Sequence, residues 1–464
     1  MRFQHRMQLE SAAWPVANGT AGRPTASSAA APAVLHGTWQ ILAERCSHAV
    51  EVCQQAESDA DPSELRGAVA AFLRGQVALP AGENTVSGWD QHAYLRAHVA
   101  RLVTSSDGAN TAVAPAGTEL VIQVYQPYAR DQVDEFSVAE QEDEMGTADG
   151  SVAARVSELP SRGLDGVWET LIYSDDVKWR LLHYIHTTLL FSDAHVDANV
   201  IAWNRMVLLH GPPGTGKTSL CRALAQKLSI RLGNRYTHGK LVEIDSHSLF
   251  SKWFSESGKL VQRLFEMVSE LVEDQDGFVV ILIDEVESLA KARSSAASGA
   301  EPSDSLRVVN ALLTQLDRLK HKPNVLVMTT SNLSETIDPA FLDRADILQY
   351  IGPPAPPAIY AILRSCLMEL ERTGFAAPSV PIVQWDASPE AAPATEDEAA
   401  QLAWRLRELA TRCVGSSGRS LRRLPVLAHA RYGRAHGIWT PAEWADAMAL
   451  AWSQQDSART TMNP

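Results

Sequence analysis

The octapeptide GPPGTGKT, Gly211 to Thr218, gathers residue types that suit one chemistry. Glycines at 211, 214 and 216 let backbone N–H groups converge on phosphate oxygens, an approach that side chains would block. Lys217 supplies a cation for β- and γ-phosphates, and the Thr218 hydroxyl supplies a hard oxygen for Mg2+. Pro212, Pro213, Thr215 and Ser219 complete the loop and the turn after it. The context agrees with the motif, because the apolar run MVLLH precedes it and the helical pattern KTSLCRALAQKL follows. A helix that starts here aims its positive dipole end at the same phosphates. ATP with Mg2+ is the expected ligand.

The complement is VVILIDE, an apolar run long enough to bury a central strand and ending in Asp284 and Glu285. Open α/β sheets bind ligands at the carboxyl ends of their strands. There Asp284 would hold Mg2+, directly or through water, and Glu285 would orient and deprotonate the attacking water. The carboxylate at 285 predicts hydrolysis rather than binding alone.

Five apolar runs are expected to position these groups: RMVLLH (205–210), KLVEID (240–245), FVVILID (278–284), NVLVMTT (324–330) and DILQYI (346–351). Amphipathic stretches separate most of them, among them GKLVQRLFEMVSELV with Leu260, Leu264, Val268 and Leu271 on one stripe. Such alternation predicts an α/β domain with a five-stranded parallel sheet covered on both faces. After GPPAPPA (352–358) the pattern is helical to the end, apart from an Ala/Pro/acid-rich loop at 376–399. Ahead of the ATPase core, WQILAERCSHAVEVCQQ and PSELRGAVAAFLRG have helical spacing and ELVIQVYQ reads as a strand. The expected order is a flexible arm (1–33), an α+β amino-terminal domain (34–130), an acidic loop and linker (131–162), the α/β core (163–354) and a helical lid (355–464). The core begins near residue 155 by composition. The linker assignment rests on eight acidic residues and no Lys or Arg between 131 and 149.

The 464 residues are ordinary in composition, 45% hydrophobic and 21% charged, with a net charge of −14. That charge argues against a protein whose main work is gripping a nucleic-acid backbone. Five scattered cysteines without a CxxC pair fit reduced thiols in the cytosol or nucleus. No apolar run approaches the roughly 20 residues of a membrane helix, and MRFQHRMQLE lacks a secretory apolar region.

Two further stretches narrow the class. VLVMTTSN followed by DPAFLDRAD resembles the sensor-1 and arginine-finger region of AAA+ ATPases. The resemblance implies that Asn332 positions the water and that Arg344 reaches the γ-phosphate bound to a neighbouring subunit; a surface pair with Asp343 or Asp346 is the plainer alternative. SSGRSLRRLPVLAHA is similar to the sensor-2 helix of the lid, with Arg419 facing the nucleotide and Arg422 and Arg423 on a solvated face. WNRMVLLHGPPGTGKTSLCRALAQKLSIRL, EIDSHSLFSKWFSESGKLV, VILIDEVESLAKAR, EPSDSLRVVNALLTQLD and FLDRADILQYIGPP together resemble the pachytene checkpoint protein 2 family of AAA+ ATPases.

That resemblance implies a homohexamer that remodels HORMA-domain proteins, with a HORMA-type adaptor as a possible further partner, through a central pore. Meiotic chromosome axes and the spindle checkpoint are the implied setting, in nucleus and cytoplasm, with neither membrane nor direct nucleic-acid contact. The exposed-looking pair Trp253 and Phe254 would then be the pore loop that grips the client, and 293–305 a second one. Aromatics suit that task because they give apolar contact without requiring a particular sequence. Two alternatives stay open: Trp253 packs beneath the following helix, or the protein is an ATP-switched scaffold that recruits partners without threading them.

Overall fold

The computed structural model describes residues 48–106, 119–128, 133–137, 152–246, 257–288, 304–332, 337–433 and 437–462, apart from 77, 80, 81, 174, 198, 379, 380, 392 and 394–396 within those spans. The amino-terminal domain contains β1 (His48–Gln54), α1 (Pro62–Arg74), β2 (Glu83–Thr85), α2 (Ala93–His98), β3 (Val99–Ser106) and β4 (Leu120–Tyr125). Its sheet runs β2-β3-β1-β4, with β1 antiparallel to β3 and parallel to β4. The Asp61 carboxylate caps α1 by accepting from the Ser63 amide at 3.1 Å, and Pro62 opens the helix. Leu65, Val69, Phe72 and Leu73 of α1 share one apolar cluster with Val50 and Val52 of β1.

The helical reading of 39–55 is therefore corrected, since 48–54 form a strand. Val50 and Val52 face the domain's own core, while Glu51 and Cys53 point the other way, against the ATPase core. With both faces covered, HAVEVCQ lacks the polar alternation of a half-exposed strand.

The ATPase core follows with β5 (Val133–Ser137), β6 (Val152–Leu159), α3 (Val167–Thr170), α4 (Val177–Asp193), β7 (Met206–His210), α5 (Lys217–Arg231), β8 (His238–Asp245), α6 (Ser257–Glu273), β9 (Gly277–Asp284), α7 (Asp304–Leu319), β10 (Val325–Ser331), α8 (Pro339–Leu342) and β11 (Ile347–Tyr350). One sheet has the order β11-β7-β10-β9-β8-β6-β5. The five expected strands are its parallel part. Two more, β6 and β5, extend it antiparallel. Among the described residues the sheet is thus seven-stranded and mixed, not five-stranded, and 133–137 and 152–159 are strands rather than loop and linker. The boundary near 155 falls inside β6. Edge strands commonly carry charged residues, so a run of acids does not exclude a strand there.

Helices cover both faces of this sheet. On one side, Val261, Leu264, Phe265, Val268 and Val272 of α6 pack with Val308, Val309 and Leu312 of α7. On the other, α4 and α5 bury Leu181, Ile185, Leu220 and Leu224. Among the described residues, four α-helices form the lid around a third cluster: α9 (Pro356–Arg372), α10 (Glu398–Arg412), α11 (Gly418–Tyr432) and α12 (Pro441–Met462). Among the described residues no helix is long and apolar enough to cross a membrane.

The last turns of α5 hold the amino-terminal domain. Lys227, with 3% of its side chain exposed, donates to Glu51 Oε2 at 2.7 Å and to Glu83. Arg231 donates to Glu51 Oε1 at 3.1 Å and to Ser105 Oγ at 2.7 Å. The Trp168 indole donates to Glu83 Oε2 at 2.7 Å and lies beneath the Lys227 ammonium. Burial pushes the Glu51 carboxyl up, but Lys227 and Arg231 together outweigh it and hold the group below the ordinary 4.5.

Candidate active site

The strand β7 delivers the chain to the glycine-rich loop and α5 takes it away. Gly211 has φ of +143°, and a Cβ there would lie 2.2 Å from the Ile351 carbonyl oxygen. At Gly214, φ is +78° and a Cβ would meet Ser417 Oγ of the lid at 2.9 Å. Lys217 Nζ donates to the carbonyls of Gly211 and Pro212, both at 2.9 Å, and to Asn332 Oδ1 at 2.7 Å. Burial lowers the Lys217 pKa from its ordinary value, against the pull of Glu287, Asp284 and Glu285. A buried ammonium bonded only to neutral oxygens is matched to an incoming phosphate, which brings charge-assisted hydrogen bonds.

Opposite the loop, β9 ends in the acid pair. The Thr218 hydroxyl donates to Asp284 Oδ1 at 2.9 Å, and the Thr330 hydroxyl also donates to Asp284. Thr218 and Asp284 so present adjacent hard oxygens. No group of three or more His, Cys, Asp or Glu side chains among the described residues could hold a metal. A cation here would complete its shell with water and phosphate oxygens, the habit of Mg2+.

Glu285 is exposed and adopts φ of +57°, a left-handed conformation uncommon for a residue with a Cβ. Hydrogen bonds hold it there: its N–H donates to Thr330 Oγ1 at 3.3 Å, and its carbonyl accepts from Ser246 Oγ at 2.8 Å and Ser288 Oγ at 2.7 Å. Asn332 joins the two halves of the site, because its Nδ2 donates to Glu285 Oε1 at 3.2 Å while its Oδ1 holds Lys217.

The lid closes a third side. Ser417 caps α11 by accepting from the Ser420 amide at 3.2 Å, and the Arg419 N–H donates to the Gly214 carbonyl at 3.2 Å. A cleft of about 530 Å³ opens between Gly214–Gly216, the segment 170–173, the 350–354 exit of the sheet and the start of α11. Arg419, Arg422 and Arg423 all line it, and Arg422 donates to the Thr170 carbonyl. Arg422 and Arg423 are exposed, as expected of a solvated face, and that face also forms a wall of the cleft. The sequence carries no motif that would single out 170–173.

Arg344 makes no hydrogen bond to this cluster among the described residues. Its Nε and Nη2 grip both oxygens of Asp317 on α7 at 2.9 and 2.7 Å, and Nη1 donates to the Ala340 carbonyl at 2.8 Å. The partner is thus neither Asp343 nor Asp346. Asp346 instead accepts from the Asn204 amide at 2.7 Å and from the Tyr184 hydroxyl. Trp253, Phe254 and the stretch 293–303 lie outside the described residues.

A phosphate loop, a paired acid strand end and a helical lid that touches the loop define an AAA+ ATPase, an ATP-hydrolysing enzyme. Residues 207–353 match the ATPase family associated with various cellular activities (AAA). Residues 355–456 match the TRIP13-like AAA+ ATPase lid C-terminal domain, and 43–130 the TRIP13 N-terminal domain. The chain belongs to the pachytene checkpoint protein 2 family. It is 53% identical over 308 residues to the pachytene checkpoint protein 2 homolog of Gallus gallus, covering 66% of this chain and 71% of that protein. Against the Danio rerio homolog it is 56% identical over 282 residues, covering 61% and 66% respectively. The solved structure of C. elegans PCH-2 is similar with a TM-score of 0.67 at 32% identity, over 89% of this chain and 99% of that one.

Proposed function

We propose that this protein is a homohexameric, Mg2+-dependent remodeller that uses ATP turnover to unfold part of a HORMA-domain protein. Its setting is meiotic chromosome-axis and spindle-checkpoint control, in nucleus and cytoplasm. One observation above all supports the reading: the nucleotide cleft is walled jointly by core and lid, with Arg419 bonded to the phosphate loop. Occupancy and loss of the γ-phosphate then bias the position of one body against the other, which is how a hydrolysis cycle does mechanical work.

Each side chain has a task in that cycle. Lys217 and the loop N–H groups bind phosphates, while Thr218 and Asp284 would hold Mg2+, whose charge would offset that of the phosphates. Glu285 accepts the proton of the attacking water and Asn332 aims that water. Arg419 senses the nucleotide from the lid, and Arg344, released from Asp317, completes a neighbouring subunit's site. Trp253 and Phe254 grip the client.

The test is hydrogen exchange on a purified HORMA-domain protein mixed with this chain. With ATP, the wild type should strip protection from part of the client, whereas the Glu285→Gln variant should bind ATP and client without doing so. A client that keeps full protection while ATP is being consumed would leave the scaffold reading in its place.

A further inference from the structure

One buried carboxylate in the site has no task in that cycle. Glu287 stands at the start of the helical segment that follows β9 and is only 7% exposed. Its Oε1 accepts the backbone N–H of Asn332 at 3.2 Å, and its Oε2 is buried without a hydrogen-bond partner among the described residues. Buried carboxylates are normally satisfied or paired, so one left half-bonded beside a reaction centre calls for a reason. Its charge, with those of Asp284 and Glu285, opposes the burial that lowers the Lys217 pKa.

The contacts converge on Asn332. Its backbone N–H is held by Glu287, its Oδ1 by Lys217 and its Nδ2 by Glu285. Asn332 stands just past the last residue of β10. Its N–H therefore takes a side-chain acceptor where the strand ladder has ended. Without that acceptor the peptide is free to turn, and the amide group loses its fixed place between lysine and glutamate.

We propose that Glu287 is a positioning residue for ATP hydrolysis: it anchors the backbone of Asn332 from behind and so holds the side-chain amide between Lys217 and Glu285. The proposal rests on Asn332 and Glu285 acting on the attacking water. Misplacing such a group by about 1 Å can cost about 100-fold in rate. It leaves phosphate binding, which depends on Lys217 and the loop, nearly intact.

The experiment is steady-state ATPase kinetics on the full chain, together with a fluorescent ADP analogue for affinity. Glu287→Ala should lower kcat about 10- to 100-fold, with KM and analogue affinity within about threefold of wild type. Glu287→Gln, which keeps an acceptor oxygen for the Asn332 N–H, should lose less. In an Asn332→Ala background, Glu287→Ala should add less than about threefold, because it acts through a side chain already removed. An unchanged kcat, equal losses in the Ala and Gln variants, or the same fold loss in both backgrounds would overturn the proposal. Glu285→Gln serves as the control: undiminished hydrolysis there means that the reading of the water-activating groups has failed, and not the anchoring of Asn332.

Discussion

At Gly211 the site depends on the absence of one carbon atom. The residue combines φ of +143° with a carbonyl oxygen 2.2 Å from where a Cβ would stand. Gly211→Ala should therefore destabilise the core by at least about 2 kcal/mol, strain of the kind seen at forced backbone conformations. The same variant should lose binding of a fluorescent nucleotide; wild-type affinity with an unshifted denaturation midpoint would contradict this. Lys217, Thr218, Asp284 and Glu285 were legible in the sequence because spacing within one loop or one strand end fixes them locally. Thr330, Ser246, Glu287 and Asp317 were not. Each meets its partner across tens of residues, and isolated serines, threonines and acids occur throughout the chain. Asn332 and Arg419 became readable only through the resemblance.

Elements that spell out a long apolar run or a clear helical period were read correctly, and strands broken by charged residues were not. The strands β7 to β11 stand out as apolar runs, whereas β1 is hidden by its burial against α5 and β5 by its acids. The joint between β1 and α5 supports a prediction of its own. Removing one partner of a buried ion pair costs about 3–5 kcal/mol, since the other charge is left buried and unpaired. Lys227→Ala should thus release β1 and β2 from α5, seen as faster hydrogen exchange in 48–54 and 83–85 with little change in β9. The pH dependence follows from Glu51. Its carboxyl in the folded protein lies below 4.5, so its contribution is fully present above that value. It is lost as pH falls through the lower, folded-state pKa, where the proton neutralises the partner of Lys227 and Arg231. Exchange in β1 should accelerate in that acid window in the wild type, and much less so in Glu51→Gln.

At the scale of the whole molecule, the proposed assembly is tested at Arg344. Within one chain its guanidinium is satisfied by Asp317 and Ala340. An arginine that completes a neighbour's site contributes about 10³- to 10⁵-fold in phosphoryl transfer. Arg344→Ala should accordingly abolish measurable turnover while nucleotide still binds, and the wild type should show activity per chain that rises with protein concentration. Turnover that is independent of concentration and survives Arg344→Ala would show each chain to be a complete enzyme.

The helix α5 carries a consequence of another kind. Its first turn bears Lys217 and Thr218, and Lys227 lies ten residues on, about 15 Å away along the axis. A single stiff rod thus ends in the phosphate site at one side and in the amino-terminal domain at the other. That domain rides on the nucleotide-binding element instead of hanging from a tether. Under the proposed cycle, a tilt of the loop against the lid would reach that domain through the helix itself, with no slack to take up first.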